Sequence, residues 1–231
     1  AMNALSMELR ETTAKAFNAL DDDPEVKVVI LTGAGKAFCA GLDLKELGEQ
    51  GLTGPDNAVT HLDPVTSINK FSGPVIGAVN GVAITGGFEV ALACDVLIAS
   101  DNARFADTHA RVGILPGWGL SQKLSRAIGI YRAKELSLTG NFLSAAQAAE
   151  WGLINRVVAP EDLISTAKSL ASDMLTVVPE SLNAYKKLIN EGFAQSFGDA
   201  IETERRVSGA ANSAVSADAL ESRREGIRQR G

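Results

Sequence analysis

The stretch whose residue types could do chemistry is Gly86-Gly87-Phe88-Glu89, just after a short apolar run and a tight turn. Glycines there let a ligand approach the main chain closely. If they open a helix, their N–H groups have no intrahelical partner and point outward at the positive end of the dipole. Such an N–H can hold a developing oxyanion. Glu89 lies three residues after Gly86, on the same helix face. A carboxylate beside an oxyanion donor suits proton transfer next to a carbonyl. The same four residues also read as a close-packed helix start, with Glu89 merely near the dipole.

Two further segments carry possible chemistry. In Phe38-Cys39-Ala40-Gly41-Leu42-Asp43, Gly41 marks a sharp turn and Asp43 is placed to cap a short helix over residues 44–47. That leaves the Leu42 N–H near a helix start, as a second oxyanion donor or as part of an ordinary turn. In Phe105-Ala106-Asp107-Thr108-His109, the histidine is either an acid/base near neutral pH or a hydrogen-bonded structural group in a loop. Other motifs fail on spacing. Gly33 and Gly35 are followed by Phe38 where a dinucleotide fingerprint needs glycine, and Lys36 is followed by Ala37 where a P-loop needs Ser or Thr. Gly119-Leu120-Ser121-Gln122-Lys123 lacks the closing glycine of a nucleophile elbow. His61 and His109 are the only histidines, with no Cys/His/Asp cluster, so no metal site is expected.

The elements that must position these residues follow from periodicity. An apolar face at helical spacing from Leu5 to Leu20, with Ser6 as N-cap, predicts a first helix stopped by Asp21-Asp22-Asp23-Pro24. Residues 26–31 (VKVVIL) and 75–79 (VIGAV) are β-branched apolar runs that predict buried strands. Residues 96–99 predict a third and 104–106 a short fourth. Helices are predicted at 64–71, at 88–94 and up to Leu124. The polar, Gly/Pro-containing text 48–63 reads as a mobile loop. Ser144 and Gln147 form a capping box, 155–158 predicts a short strand, and Pro160 suits a helix first turn. From about 160 to 228 the pattern is helical. Strands alternating with helices and then a helical tail indicate an α/β fold.

Bulk properties narrow the partners. The chain has 231 residues, 45% hydrophobic and 22% charged, enough to bury a large core. A net charge of -6 and a pI near 5.1 give no general attraction for nucleic acid or anionic membrane. Cys39 and Cys94 sit in apolar text and are expected as buried thiols in a reducing, cytoplasmic setting. No apolar run of about 18 residues is present, so no membrane span is expected, and the first residues carry no signal-peptide pattern.

Taken together, four blocks resemble the enoyl-CoA hydratase/isomerase (crotonase) family: VKVVILTGAGKAFCAGLDLKEL, GPVIGAVNGVAITGGFEVALACDVLIAS, ARFADTHARVGILPGWG and LTGNFLSAAQAAEWGLINRVV. Order and spacing agree over about residues 3–160. The resemblance implies a spiral of ββα units over residues 1–160, binding an acyl-CoA, and a helical C-terminal region, 161–231, that builds trimers or hexamers. It also implies that the family's first strands lie upstream of Asn3. The thioester carbonyl would sit between the N–H groups of Leu42 and Gly86, and the family's first catalytic glutamate falls on Glu89. Ala40, Asp43, Gly87 and Trp118 would line the substrate, and Lys36 and Lys45, with the tail residues Lys186 and Lys187, are the basic residues available to the CoA phosphates. No cofactor or metal is implied, the CoA thioester being the substrate.

The chain departs from the hydratase pattern at one catalytic position. Where the family's hydratases carry a second glutamate, in a stretch like F-G-Q-P-E, this chain has His109. Pro116-Gly117-Trp118-Gly119-Leu120 replaces P-G-A-G-G, and Trp118 either reshapes the pocket or simply packs. The resemblance therefore implies hydration of a trans-2-enoyl-CoA to the 3-hydroxyacyl-CoA. A double-bond isomerase using one base, or an acyl-CoA binder without turnover, are the alternatives. Glu89 with a neutral His109 would still hold a water, since imidazole offers one acceptor and one donor, but with a different pH dependence.

Overall fold

The computed structural model describes residues 2–50 and 63–228. Most of the segment expected as a loop, with His61, lies outside the described residues.

Among the described residues, eight strands form two four-stranded sheets, and the first six alternate between them. The first sheet is β1 (Val29–Thr32), β3 (Val75–Val79), β5 (Val96–Ser100) and β8 (Arg156–Val158), ordered β1-β3-β5-β8 and parallel throughout. The second is β2 (Ala37–Cys39), β4 (Val82–Ile84), β6 (Arg104–Ala106) and β7 (Phe142–Ser144), ordered β2-β4-β6-β7, with only the β6–β7 pair antiparallel. Each of the pairs β1–β2, β3–β4 and β5–β6 thus crosses from the first sheet to the second, the spiral of ββα units expected from the sequence.

The strand text explains the layering. In β3 every residue is buried, and side chains alternate between faces. Val75 and Val79 join the main core with Phe38, Phe88 and Phe105. Ile76 and Ala78 face the other way, against Leu163 and Ala167. A strand buried on both faces needs a continuous apolar run rather than alternation. Gly77 completes it because a Cβ there would lie 2.6 Å from Leu97 Cδ2.

Helix α1 (Met7–Asp22) starts where Ser6 accepts a hydrogen bond from the Leu9 N–H. After β2 comes α2 (Leu44–Gln50), and α3 (Pro64–Lys70) is capped by Asp63. Helix α4 (Gly86–Ala93) follows β4, and α5 (His109–Val112) is a single turn after β6. Then come α6 (Leu120–Ile128), α7 (Ile130–Thr139) and α8 (Ala145–Glu150), the last capped by Ser144 through the Gln147 N–H. Helix α9 (Leu163–Leu175) lies on the first sheet.

The first compact unit therefore runs Ala1–Pro179, and the second is Glu180–Gly231. The boundary expected at 160/161 lies before α9, yet α9 packs on the first sheet through Leu163 and Ala167. The second unit consists of α10 (Pro179–Phe193, beginning one residue earlier), α11 (Phe197–Asn212) and α12 (Ala217–Arg228). Among the described residues, no helix is long and apolar enough to cross a membrane. Cys39 is buried, which pushes its thiol up to about 11, while Cys94 is only half-buried, its thiol directed at Val90 O.

Candidate active site

A cleft of about 230 Å³ opens between α1, α2, α4 and the segment 114–118. Leu5, Leu42, Leu47, Ile114 and Trp118 give it an apolar wall, and Glu89 and His109 stand in it.

Glu89 gets there because α4 begins at Gly86, which puts residue 89 at the end of the first turn. The helix start is pressed against β2: a Cβ on Gly87 would fall 2.1 Å from Cys39 O. Gly41 adopts a left-handed conformation, φ +91°, and a methyl group there would come within 3.5 Å of the Gly86 nitrogen. A methyl group on Gly86 would lie 3.7 Å from the Leu42 nitrogen and 3.3 Å from both Trp118 and Leu5. The two expected N–H donors are therefore neighbours: Leu42 lines the cleft, and Gly86 packs behind the wall made by Leu5 and Trp118. Gly86 is the first residue of its helix, so its N–H has no intrahelical acceptor. Thr85, before it, takes a positive φ of +54°. That unfavourable conformation for a β-branched residue is held by hydrogen bonds from the Thr85 N–H to Ala106 O (2.8 Å) and from the Thr108 N–H to Thr85 Oγ1 (3.1 Å). The oxyanion segment and the histidine segment are thereby tied together.

Glu89 is 2% exposed. Its Oε1 accepts hydrogen bonds from the N–H groups of Trp118 (2.8 Å) and Leu120 (3.3 Å). These bonds satisfy one oxygen of a buried carboxylate and leave Oε2 facing His109 Nε2 at 3.6 Å. That is an ion-pair distance, too long for a direct hydrogen bond. The other ring nitrogen, Nδ1, lies 2.7 Å from Asp107 Oδ1. The same oxygen accepts the His109 backbone N–H at 3.2 Å.

His109 is not in a loop, as its local sequence suggested. It is the first residue of α5 and is buried. Nor is it neutral near pH 7. Burial alone would lower its pKa, but the Asp107 hydrogen bond and the Glu89 carboxylate outweigh burial and raise it from 6.5 to about 9. Asp107 moves the opposite way. Burial would raise it, but hydrogen bonds from His109 and Ser137 hold its carboxyl below the usual range. Two buried carboxylates thus flank one imidazolium.

The remaining expected residues divide. Leu42, Asp43 and Trp118 line the cleft. Asp43 spends its carboxylate capping α2, accepting from the N–H groups of Lys45 (3.0 Å) and Glu46 (3.3 Å). Ala40 is half-buried beside it, its N–H donating to Met2 O at 3.1 Å. Gly87 is buried against Cys39 and does not reach the cleft, so its role is close packing. Lys36 and Lys45 are exposed and do not line the cleft. Arg10 and Glu46, which the sequence did not single out, do line it, with Arg10 Nη2 4.0 Å from Glu46 Oε2. Asp107 was also missed. The only signal available was its spacing two residues before the histidine.

Comparison with known proteins agrees with this architecture. The family model described as enoyl-CoA hydratase/isomerase matches residues 1–227. A protein of Arabidopsis thaliana named probable enoyl-CoA hydratase 1, peroxisomal, is 40% identical over 230 residues, covering 100% of this chain and 86% of the relative. The short-chain-enoyl-CoA hydratase of Clostridium acetobutylicum is 36% identical, covering 88% of this chain and 83% of the relative. The crystal structure of an enoyl-CoA hydratase from Bacillus anthracis superposes with a TM-score of 0.85 at 34% identity, covering 99% of this chain and 88% of that one.

Proposed function

The chain belongs to the enoyl-CoA hydratase/isomerase family, and on that premise we propose that it adds water across the double bond of a trans-2-enoyl-CoA to give the 3-hydroxyacyl-CoA. The observation that carries this reading is the pairing of Glu89 Oε2 with His109 Nε2 at 3.6 Å in the cleft that Leu42 also lines, with Gly86 next to Leu42. Hydration needs two groups to hold one water and move its protons, and both are present. The substrate's thioester oxygen takes the two N–H groups. Glu89 accepts a proton from the water as the water oxygen adds to the β-carbon. The electron pair moves into the thioester as an enolate, which the two N–H groups stabilise. The Nε2–H of the imidazolium then gives its proton to the α-carbon. Transfer of the proton held by Glu89 to the neutral imidazole restores the starting state.

These steps run on side chains and main chain, so the reading calls for no cofactor or metal; the coenzyme A thioester is the substrate. Trp118, on the cleft wall, bounds the acyl chain. We further propose a homotrimer, or a hexamer of paired trimers, acting in the cytoplasm, although the Arabidopsis relative is named for the peroxisome. The apolar side chains exposed on the C-terminal helices support the assembly.

The test is turnover of crotonyl-CoA and a long-chain 2-enoyl-CoA, followed by loss of the enoyl-thioester absorbance, with Glu89→Gln and His109→Ala alongside. Removing either proton-transfer group should cost about 10²- to 10⁴-fold in rate. Unchanged turnover in Glu89→Gln would refute the reading. No turnover of 2-enoyl substrates with conversion of a 3-enoyl-CoA would make the protein an isomerase, and tight binding with neither reaction would make it an acyl-CoA binder.

A further inference from the structure

We propose that Asp107 is a positioning residue: it accepts the hydrogen bond of the His109 Nδ1–H and so turns Nε2 toward Glu89 and the cleft. The kinetic consequence rests on the hydratase reading above; the orientation of the ring rests on geometry alone.

An imidazole that stands in for a carboxylate has two problems a carboxylate lacks. Its nitrogens are inequivalent, and its proton can sit on either. A single Asp107 oxygen addresses both, lying 2.7 Å from Nδ1 and 3.2 Å from the His109 backbone nitrogen. Main chain and ring are thus referenced to one atom. Asp107 is itself 3% exposed and receives a further hydrogen bond from Ser137 of α7. A buried carboxylate held this way cannot swing to solvent.

The groups around the ring leave Asp107 as the one that fixes it. Glu89 reaches from α4 to Nε2. Arg10, Asp43 and Glu46 line the same cleft, and Asp43 and Glu46 are engaged with the start of α2 and with Met7 N and Arg10. Lys123 of α6 feels the charge of Glu89 and donates to Asn69 Oδ1 and Leu92 O. Arg132, Lys134 and Glu135 of α7 are exposed, and Arg111 of α5 lies along Gly140 and Asn141. Among the described residues, only Asp107 makes a hydrogen bond to the imidazole at normal length. Thr108, the N-cap of α5, makes no side-chain cap bond, so Asp107 also supports the start of that turn. The test must separate this support from positioning.

Asp107→Asn keeps the size and removes the charge, and an amide that flips presents N–H to Nδ1 and drives the ring proton onto Nε2. The full chain with His61→Gln leaves one histidine, whose ¹⁵N imidazole signals report tautomer and titration directly. We expect Nδ1 to stay protonated in the parent, and Asp107→Asn to lower the titration midpoint by about one pH unit or more. In crotonyl-CoA hydration, Asp107→Asn should lower kcat at least about 10-fold with KM changed less than about 3-fold. In a His109→Glu background, which restores two carboxylates, the same change should alter kcat less than about 3-fold. Imidazole signals that do not respond to Asp107→Asn would overturn the proposal. An equal loss of kcat in both backgrounds would also overturn it, since the residue would then be serving the turn and not the ring. If the parent hydrates nothing, the functional reading fails, and the imidazole signals still decide the role of Asp107.

Discussion

Glu89 was legible in the sequence because the glycines that precede it are demanded by geometry. Gly86 opens the helix against Leu5, Trp118 and the Leu42 nitrogen, and Gly87 passes Cys39 O too closely for a side chain. What the sequence hid is how the carboxylate is held. Its donors are main-chain N–H groups of Trp118 and Leu120, and any residue but proline supplies an N–H. Asp107 was hidden for another reason, since its partner is set by the fold of one helical turn. The state of His109 follows from both carboxylates and has a measurable cost. A group whose pKa rises from 6.5 to about 9 on folding contributes stability that is complete below pH 6.5 and is lost as pH climbs through 9. The shift corresponds to on the order of 3 kcal/mol. Thermal unfolding followed by circular dichroism should show Tm falling by several degrees between pH 6.5 and 9.5. His109→Gln should remove most of that slope. On the proposed mechanism, in which the imidazolium is the acid, turnover should fall as pH climbs through about 9.

At the scale of elements, long patterns were readable, and of the three-residue strands only β6 and β8 were. The first helix, its Ser6 cap, β3 and the Ser144 cap all lie where periodicity or a capping box put them. Strands β2, β4 and β7 were missed. Each has three residues, too few to display a period, and exists because neighbouring strands offer it hydrogen bonds. The junction of β2 with α4 is the element-scale feature on which the site depends. It brings the Leu42 and Gly86 nitrogens together, and it tolerates nothing larger than glycine at 87. Gly87→Ala would force a Cβ to 2.1 Å from Cys39 O, main chain against main chain. No rotamer relieves such a clash, so α4 must shift. We expect a loss of about 2–4 kcal/mol in chemical denaturation. The surviving folded enzyme should also lose turnover, because the Gly86 N–H moves with the helix. Gly35→Ala is the control. Its Cβ meets nothing within 4 Å, although its φ of +75° carries a modest strain. It should cost about 1 kcal/mol and leave turnover intact.

At the scale of the molecule, the α/β class was legible from alternation of strand and helix text, but the splitting of strands between two sheets was not. Nothing in the text of β3 and β4 says that one joins β1 and the other β2; the turn between them does. The C-terminal helices raise the opposite problem, a pattern legible in sequence whose apolar side faces solvent. Tyr185, Ile189 and Phe193 recur every fourth residue along α10, one stripe of that helix, and they are 67%, 58% and 67% exposed. Phe197, at the start of α11, is 84% exposed. A continuous apolar surface of this kind on one chain is costly in water and marks an interface. The assembly proposed above gives it a partner, another copy of the same chain. Light scattering coupled to size exclusion should give a mass three or six times the 24.2 kDa of one chain. The pair Ile189→Asp and Phe193→Asp puts two charges into that stripe, and burying an unpaired charge costs several kcal/mol. The doubly substituted protein should therefore elute as smaller species while the fold of residues 1–179, judged by its near-ultraviolet circular dichroism, persists. A parent that elutes as a monomer would overturn the assembly, and an assembly unchanged by the two aspartates would place its interface elsewhere.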